Sequence, residues 1–233
     1  MKPLAVILHL YYQDLWDEFS SYFNNITVDF DLYVSLVEGN DTEEASSLIL
    51  TKYPNAKIYV LPNRGMDVAP FIYTFDQIIK SGLEYECFIK VHSKKSVAHD
   101  NTGDYGNSWR NTLVSSILGN TRRFERAFVS CCNEAKYGMA QNVFWVLNQE
   151  KKGFEQQYFK NEVPESYTFV GGTMFIANFE IFKKWFVEMN IINLTYNKFP
   201  DGYYSEQNIA HDLEKVFGLV PNMFKKGIVK III

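Results

Sequence analysis

The stretch LAVILHL, residues 4–10, is a mostly apolar run of the kind that forms a buried strand. It is followed by DLWDEFSSYF, residues 14–23, in which Leu15, Phe19 and Tyr22 fall on one face of a helix. A buried strand followed by an amphipathic helix is the repeating unit of sheets that carry helices on their faces. This stretch therefore predicts an α/β fold.

The same alternation continues through the first half of the chain. Strands are predicted over residues 30–36, 57–61 and 87–91, and helices over residues 42–52 and 68–81, with Thr42 as the cap of the first and Pro70 in the opening turn of the second. Parallel strands need crossover helices between them. We therefore expect a mostly parallel central sheet with helices on both faces.

The second half is less regular, and it begins with a long polar loop over residues 92–108. Long loops in compact domains are often functional. Helices are predicted over residues 109–118, 121–136, 148–160, 179–189 and 205–217, with Gly218 ending the last, and strands over residues 138–143 and 169–177. No Pro-, Gly- or Ser-rich linker divides the chain, so we expect a single domain.

The composition limits the classes of protein to which the chain can belong. Of 233 residues, 47% are hydrophobic, which is enough for a sizeable core, and the net charge of −4 argues against a nucleic-acid partner. Cys87, Cys131 and Cys132 show no CxxC or metal-ligand spacing, so we expect reduced thiols. The N-terminal apolar run is too short to cross a bilayer and lacks a cleavage site. We therefore expect a cytoplasmic protein, with peripheral association at the inner face of a membrane left open.

The segment Asn63-Arg64-Gly65-Met66-Asp67 follows the third predicted strand. Ligands of open α/β sheets bind outside the carboxyl ends of the strands, and Gly65 lets the backbone approach one closely. Arg64 can bond a phosphate or pair with Asp67. Asp67 can contact a ribose or a base, or it can cap the next helix. Asn63, Arg64, Gly65 and Asp67 are therefore candidate ligand-binding residues.

A run of cations, Lys90-Val91-His92-Ser93-Lys94-Lys95, leaves the fourth predicted strand. Cations at a strand exit suit a diphosphate. Arg110, at the next predicted helix start, can reach back to the same anion. The alternative for Lys94 and Lys95 is a solvated loop. Lys90, His92, Lys94, Lys95 and Arg110 are therefore candidate anion-binding residues.

His92 has a second interpretation. Its imidazole can donate to a phosphate, carry a proton or bind a metal ion. A metal site would need His99 or Asp100 as a further ligand, and the spacing of the two histidines is not a recognised ligand spacing. A metal-dependent hydrolase that uses His92, His99 and Asp100 is thus an alternative that metal analysis of the pure protein would test.

Two segments of the second half complete the candidate set. Gly171-Gly172-Thr173 allows the close approach of a ligand or of another backbone, or it forms a bulge. The segment from Asp201 to Gln207 leads into the last predicted helix, with Ser205 as its cap. Glu206 can act as a general base or can simply complement the helix dipole. His211, in mid-helix, is typical of a core histidine with satisfied hydrogen bonds.

Taken in order, these segments resemble the rhamnan synthesis F family of bacterial polysaccharide biosynthesis. The matching strings are AVILHLYY, NRGMDVAPF, FIKVHSKKS, SWRNTLVSSILG, FVGGTMFIA and EQNIAHDLEKVFG. The resemblance implies a glycosyltransferase of the GT-A type. Residues up to about 100 would then form the nucleotide-binding half, and residues from about 101 to 233 the acceptor-side half. It also implies a nucleotide-sugar donor and a glycan or lipid-linked acceptor, with rhamnose or a related hexose as the sugar.

Carried over by position, Asn63, Arg64, Gly65 and Asp67 would hold the nucleoside. Gly171, Gly172 and Thr173 would border the acceptor. Lys90, His92 and Lys94 fall where many GT-A enzymes carry an Asp-x-Asp metal motif, and this sequence has no acidic pair there. We therefore expect no cofactor and leave a divalent metal in doubt, with Lys94, Lys95 and Arg110 balancing the diphosphate.

Glu206 would then be the catalytic base, with Asp201 as the alternative. Replacing Glu206 with Gln is expected to abolish transfer and to leave donor binding near normal. The rival from another class is a non-catalytic module that binds a sugar nucleotide or a glycan. Such a module would keep the Asn63–Asp67 loop but would need no base.

Overall fold

The computed structural model describes residues 1–39, 41–95, 104–132, 137–202 and 206–231. Its strands are β1 (Lys2–His9), β2 (Phe30–Val37), β3 (Lys57–Leu61), β4 (Tyr85–His92), β5 (Tyr137–Asn142), β6 (Val146–Glu150), β7 (Ser166–Val170), β8 (Phe175–Asn178) and β9 (Gly227–Ile231). Its helices are α1 (Trp16–Phe23), α2 (Thr42–Lys52), α3 (Val68–Lys80), α4 (Asp104–Leu118), α5 (Thr121–Cys131), α6 (Phe179–Glu188), α7 (Ile191–Thr195) and α8 (Ile209–Met223).

The central sheet has seven strands within the described part of the chain, in the order β3-β2-β1-β4-β8-β5-β9. Strands β1 to β4 are parallel, and β5 is parallel to β9. Strand β8 runs antiparallel to both β4 and β5. The parallel strands therefore end at one edge of the sheet, and the turn before β8 lies at that edge too. The prediction of a mostly parallel sheet is confirmed.

Helices cover both faces of this sheet, as predicted. Successive side chains of a strand point to opposite faces, so Ala5 and Ile7 of β1 pack into one apolar cluster and Leu4, Val6 and Leu8 into another. The first cluster includes side chains of α3, α6 and α8, and the second includes side chains of α1, α2, α4 and α5. A strand that is apolar at almost every position is therefore buried on both sides.

The prediction of a helix over residues 148–160 is wrong. The chain there forms β6, which pairs with β7 in a separate two-stranded antiparallel sheet, followed by the short 3₁₀ helix Phe154–Tyr158. The partner strand lies well outside a local window of sequence. Pairing in the tertiary structure therefore outweighs the local helical pattern.

The predicted strand over residues 169–177 is two strands, β7 and β8, separated by a turn. In that turn Gly172 has φ of +85° and Thr173 has φ of +53°, both in the left-handed region. This conformation interrupts an extended strand. The turn passes the chain from the small sheet to the central sheet, so Gly171 and Gly172 lie between two strands and not within one.

Helix α8 begins and ends later than predicted. Its N-cap is Asn208, whose side chain accepts from the N–H of Ala210, whereas the predicted cap Ser205 lies outside the described residues. The helix runs through Gly218 to Met223. A Cβ at Gly218 would lie 2.4 Å from the carbonyl oxygen of Thr168. This glycine therefore permits close packing against β7 and does not end the helix.

Other differences are small. Asp41, not Thr42, caps α2, since its side chain accepts from the N–H of Glu44 at 3.3 Å. Helix α4 begins at Asp104, inside the predicted polar loop, and β9 has no counterpart among the predicted strands.

The three cysteines are buried and unpaired. Among the described residues, no helix has the length and apolar character needed to cross a bilayer.

Candidate active site

Several predicted site residues meet at the carboxyl edge of the sheet. Lys90 and His92 lie at the end of β4, Asp67 occupies the N-cap position of α3, and Thr173 lies in the turn before β8. They are up to 106 residues apart in sequence, as for Asp67 and Thr173. Parallel strands that end together bring them to one place.

Lys90, Asp67 and Thr173 form a closed hydrogen-bonded network. Lys90 Nζ donates to Asp67 Oδ2 at 2.5 Å and to the carbonyl oxygen and Oγ1 of Thr173 at 2.9 Å each. Thr173 Oγ1 donates to the same Asp67 oxygen. These contacts use all three ammonium hydrogens, and Lys90 is only 1% exposed. Lys90 therefore holds Asp67 and the Thr173 turn in place. In this arrangement its ammonium group has no N–H left to donate to the phosphate of a ligand.

This network is a buried ion pair. Burial by itself would raise the pKa of the Asp67 carboxyl, but the neighbouring His92 and Lys90, together with hydrogen bonds from Lys90 and Thr173, hold that pKa well below its ordinary value. Burial lowers the pKa of Lys90, and the charge of Asp67 opposes that shift. Three acceptors around Nζ require the ammonium form, so both groups are charged. Asp67 makes no side-chain capping bond to α3.

His92 and Glu214 hold the Gly172 peptide from opposite sides. His92 Nε2 lies 2.9 Å from the carbonyl oxygen of Gly172, and the N–H of Gly172 donates to Glu214 Oε1 at 2.6 Å. A carbonyl oxygen only accepts, so Nε2 carries the proton. Burial lowers the pKa of His92 to about 3. The ring is therefore neutral at pH 7, and its 3.7 Å approach to Asp67 is not an ion pair.

The turn is also packed tightly against aromatic rings. The N–H of Gly171 donates to the carbonyl oxygen of Trp145 at 2.9 Å. The Trp109 and Trp145 rings lie edge to face, 5.4 Å apart. A Cβ at Gly172 would come within 2.5 Å of the Trp109 ring. Glycine is therefore required at position 172 by space as well as by φ.

Glu214 is a site residue that the sequence interpretation missed. It is half-buried on α8. Burial raises the pKa of its carboxyl, and Asp67 adds to this, although the N–H of Gly172 and the cations Lys94 and Lys90 act in the opposite direction. His211 lies one turn earlier on the same helix face. The three-residue spacing of His211 and Glu214 within a predicted helix is the sequence feature that could have identified Glu214 as a site residue.

His211 is not the core histidine with satisfied hydrogen bonds that the sequence suggested. Its Nδ1 is buried and has no hydrogen-bond partner among the described residues. Burial, with the charge of Lys215, lowers the pKa of its ring. Lys94 and Asp67 also influence that pKa, so His211 faces the same charged cluster as Glu214.

Lys94 is a cation that remains available at this edge. Its Nζ lies 4.1 Å from the centroid of the Trp109 ring, and within the described parts of the chain no carboxylate pairs with it. Lys95 pairs with Asp14 and lies 5.2 Å from the centroid of the Tyr12 ring. Both side chains therefore stay close to the protein surface and are not simply solvated.

Arg110 is buried inside the protein, and its charge is already paired. Its Nε and Nη2 donate to the two carboxylate oxygens of Glu18 at 3.0 and 2.8 Å, and the residue is 2% exposed. Nη1 donates to the carbonyl oxygen of Lys94 and to Asn107 Oδ1. Contact of Arg110 with a diphosphate would require Glu18 to be displaced. In this arrangement Arg110 instead fixes the backbone that carries Lys94.

Arg64 and Asp201 form a second ion pair, which is more exposed than the buried network. Arg64 Nε donates to Asp201 Oδ1 at 2.8 Å, and the N–H of Gly202 donates to the carbonyl oxygen of Asn63 at 2.7 Å. Arg64 therefore pairs with Asp201 and not with Asp67. The Asp201 side chain is 77% exposed, and Glu206 is exposed too. Neither carboxylate joins the network around Thr173.

An open cleft of about 440 Å³ lies beside the cationic segment. Its lining residues are Tyr11, Tyr12, Gln13, Asp14 and Asp41, which follow the ends of β1 and β2. The backbone N–H of Tyr12 donates to Ser93 Oγ at 2.8 Å, so the cleft adjoins the chain that leaves β4. Gln13 Nε2 is buried, and no described residue accepts its hydrogen bonds.

The sequence offers His99 and Asp100 as further metal ligands beside His92. His99 and Asp100 lie outside the described residues, so the hydrolase alternative remains untested. Within the residues that the structure describes, no group of three His, Cys, Asp or Glu side chains is arranged to hold a metal ion.

The chain has an α/β fold with an open, mostly parallel sheet, and a charged cluster and a cleft lie at the carboxyl edge, where proteins of this class bind ligands. The chain belongs to the rhamnan synthesis protein F family, whose model matches residues 1–224. The resemblance noted from the sequence motifs is thereby confirmed. Membership connects this chain with the synthesis of rhamnan and related polysaccharides.

The chain is also similar to curated proteins of Xanthomonas campestris pv. campestris, in strains B100 and ATCC 33913, that carry the description "Uncharacterized protein WxcX". The identity is 25% over 118 residues, which are 51% of this chain and 16% of the relative. The match therefore covers a small part of a much longer protein.

Proposed function

We propose that this chain is a glycosyltransferase of the GT-A type. It moves a sugar, rhamnose or a related hexose, from a nucleotide diphosphate to a growing cell-surface polysaccharide or a lipid-linked acceptor. The observation that carries the proposal is the adjacency of three features at one sheet edge: an open cleft, the cation Lys94, with which no described carboxylate pairs, and the half-buried carboxylate Glu214. Membership in the rhamnan synthesis protein F family supports the substrate class. Such a reaction belongs in the cytoplasm, at the inner face of the membrane.

The cleft suits the nucleoside part of the donor. Its tyrosines offer aromatic surface to a base, and Gln13, whose buried Nε2 has no described hydrogen-bond partner, lies in the lining. Asp14 and Asp41 each offer a second carboxylate oxygen to ribose hydroxyls, since one oxygen of each already accepts, from Lys95 and from the N–H of Glu44 respectively. The sequence favoured Asn63–Asp67 for this task. Because the Asp67 carboxylate already binds Lys90 and Thr173, we prefer the cleft.

The diphosphate then lies against Lys94 and Lys95, which leave β4 next to the cleft. Cations near the leaving group stabilise the negative charge that develops as the glycosidic bond breaks. This chain carries lysines where related enzymes carry an acidic metal-binding pair. We therefore propose that transfer does not depend on a divalent metal.

In the reaction, an acceptor hydroxyl attacks the anomeric carbon of the donor sugar. A new C–O bond forms to the acceptor, the bond to the diphosphate breaks, and the nucleoside diphosphate leaves with the electron pair. A carboxylate takes the hydroxyl proton. Most of the rate comes from positioning the two substrates and from stabilising the leaving group.

Donor binding is the first test. dTDP-rhamnose, UDP-glucose and GDP-mannose are added separately to the chain, with and without Mg²⁺, and the thermal unfolding midpoint is recorded. A donor at about 100 times its dissociation constant stabilises the folded state by about 2.7 kcal/mol. We expect one donor to raise the midpoint equally with and without Mg²⁺.

Matched variants locate the donor site. Lys94→Met is expected to weaken donor binding at least about tenfold, equal to 1.4 kcal/mol, whereas Lys57→Met, which removes an exposed lysine at the start of β3, leaves it unchanged. Absence of binding by all three donors contradicts the proposal. A donor that binds but is never cleaved or transferred points instead to a sugar-nucleotide-binding module.

A further inference from the structure

We propose that Glu214 is the general base that takes the proton from the acceptor hydroxyl, in place of Glu206 or Asp201. The inference rests on the proposed function, and it names the group that performs one step of it. When the hydroxyl oxygen bonds to the anomeric carbon, its proton passes to Oε2 of Glu214, and the nucleoside diphosphate departs with the electron pair of the broken glycosidic bond.

The position of Glu214 supports this role. Oε1 accepts the N–H of Gly172 at 2.6 Å, in the turn that the family resemblance assigns to the acceptor side. No described residue donates to Oε2, and the side chain is half-buried. One oxygen is thus anchored to the backbone, and the other has no donor among the described residues, so it can accept from a substrate hydroxyl. A base that is held in this way needs little reorganisation when the substrate arrives.

The charged groups around Glu214 come from several elements. Asp67 at the start of α3, Lys90 on β4 and Lys94 after β4 face it, and His211 and Lys215 lie near it on α8. Burial and Asp67 raise the pKa of Glu214. A carboxylate with a raised pKa is a stronger base near neutral pH than an exposed one.

The two carboxylates suggested by the sequence lack these features. Asp201 is 77% exposed on its side chain and is paired with Arg64. Glu206 is exposed, and it precedes the N-cap of α8, Asn208. Neither has a described contact with the Gly172–Thr173 turn.

The competing explanation is that Glu214 only fixes the Gly172 turn. The variant Glu214→Gln separates the two roles, because an amide oxygen still accepts the N–H of Gly172 but cannot take a proton. Glu180→Gln, on the exposed surface of α6, is the matched control. Glu206→Gln and Asp201→Asn test the rival assignments.

The experiment measures release of nucleoside diphosphate from dTDP-rhamnose, UDP-glucose and GDP-mannose, with methyl α-L-rhamnoside as the acceptor, between pH 5 and 9. We expect Glu214→Gln to lower kcat by about 100-fold or more and to remove the acidic limb of the pH profile. Its donor affinity and unfolding midpoint are expected to stay near those of the wild-type chain. Glu180→Gln should match the wild-type chain throughout.

Three results decide the matter. If the wild-type chain turns over a donor and Glu214→Gln does so equally well, the inference fails and the proposed function stands. If only Glu206→Gln or Asp201→Asn loses turnover, the base is that residue and not Glu214. If the wild-type chain neither binds nor cleaves any of the three donors, the proposed function fails and the inference fails with it.

Discussion

At the scale of single residues, Lys90 shows that burial determines whether a cationic side chain can bind a ligand. In the sequence it belongs to a run of basic residues that favours a phosphate site. In the structure its ammonium is saturated by Asp67 and Thr173. A buried charge must be paired, because leaving it alone in the interior costs several kcal/mol. Lys90 therefore organises the site, and Lys94, four residues later, is the better candidate for contact with a ligand.

The Asp67–Lys90 pair makes a prediction about stability. Asp67→Asn leaves the Lys90 ammonium buried without a counter-charge, so the free energy of unfolding should fall by about 3–5 kcal/mol. Asp201→Asn breaks the exposed Arg64 pair and should change it by at most about 1 kcal/mol. Urea unfolding at pH 7 measures both. Replacing Lys90 with Met in the Asp67→Asn background should restore part of the loss, and equal stability of the two single variants would contradict the ion pair.

At the scale of secondary-structure elements, the turn between β7 and β8 determines the geometry of the site. It joins the small sheet to the central one, and its backbone is held by His92 of β4 and Glu214 of α8. Gly172 has a positive φ and no room for a Cβ beside Trp109. The turn therefore couples three elements, and its shape depends on one glycine.

Two glycine variants separate the effects of φ and of space. Gly82 has φ of +73°, and a Cβ added at this position would have no neighbouring atom within 4 Å. Gly82→Ala should therefore lower stability by about 1–2 kcal/mol through the left-handed backbone alone. Gly172→Ala should lower it by about a further 1–3 kcal/mol, because the methyl group clashes with Trp109. Urea unfolding compares the two. A Gly172→Ala variant no less stable than Gly82→Ala would show that the Trp109 ring moves aside easily.

At the scale of the whole molecule, histidines buried in the neutral form make stability depend on pH. Burial lowers the pKa of His9 to about 4 and that of His92 to about 3, against an ordinary value of 6.5. Below pH 6.5 the unfolded chain takes up protons at these rings, and the folded chain does not. Stability rises with pH wherever the unfolded state binds more protons. These rings therefore stabilise the fold above pH 6.5, and their contribution is lost as the pH falls toward 4.

We expect the free energy of unfolding to decrease from pH 6.5 to pH 4, by up to about 1.4 kcal/mol per pH unit for each buried ring. Glu214 acts in the opposite direction, because its pKa is raised. Asp67 contributes only below its ordinary pKa of 3.8, since its folded pKa is lower still. Urea unfolding across this range measures the slope, and His9→Asn should reduce it. A slope unaffected by His9→Asn would show that other groups cause it.

The sequence by itself determined the α/β class, the succession along the chain of the first four strands and the helices between them, and the family. These depend on local apolar patterns and on short motifs that survive without tertiary information. It also indicated that residues 63–67 and 90–95 lie together, because strand ends of a parallel sheet meet at one edge. Only the family resemblance added residues 171–173 to that site. It could not show that Lys90 and Arg110 are already paired, since their partners Asp67, Thr173 and Glu18 are distant in the chain.

Only the tertiary structure decided which polar groups remain available to a ligand. Strand β6 forms because it pairs with β7. Position 218 needs a glycine because the backbone of Thr168 lies against it, and the side chain of Glu214 is held by the N–H of Gly172. Each of these contacts joins residues that are separated along the chain, so no local window contains the interaction that fixes it. Apolar periodicity is a local property and therefore predicts the elements. The pairing of buried charges and the close approach of backbones depend on how those elements pack.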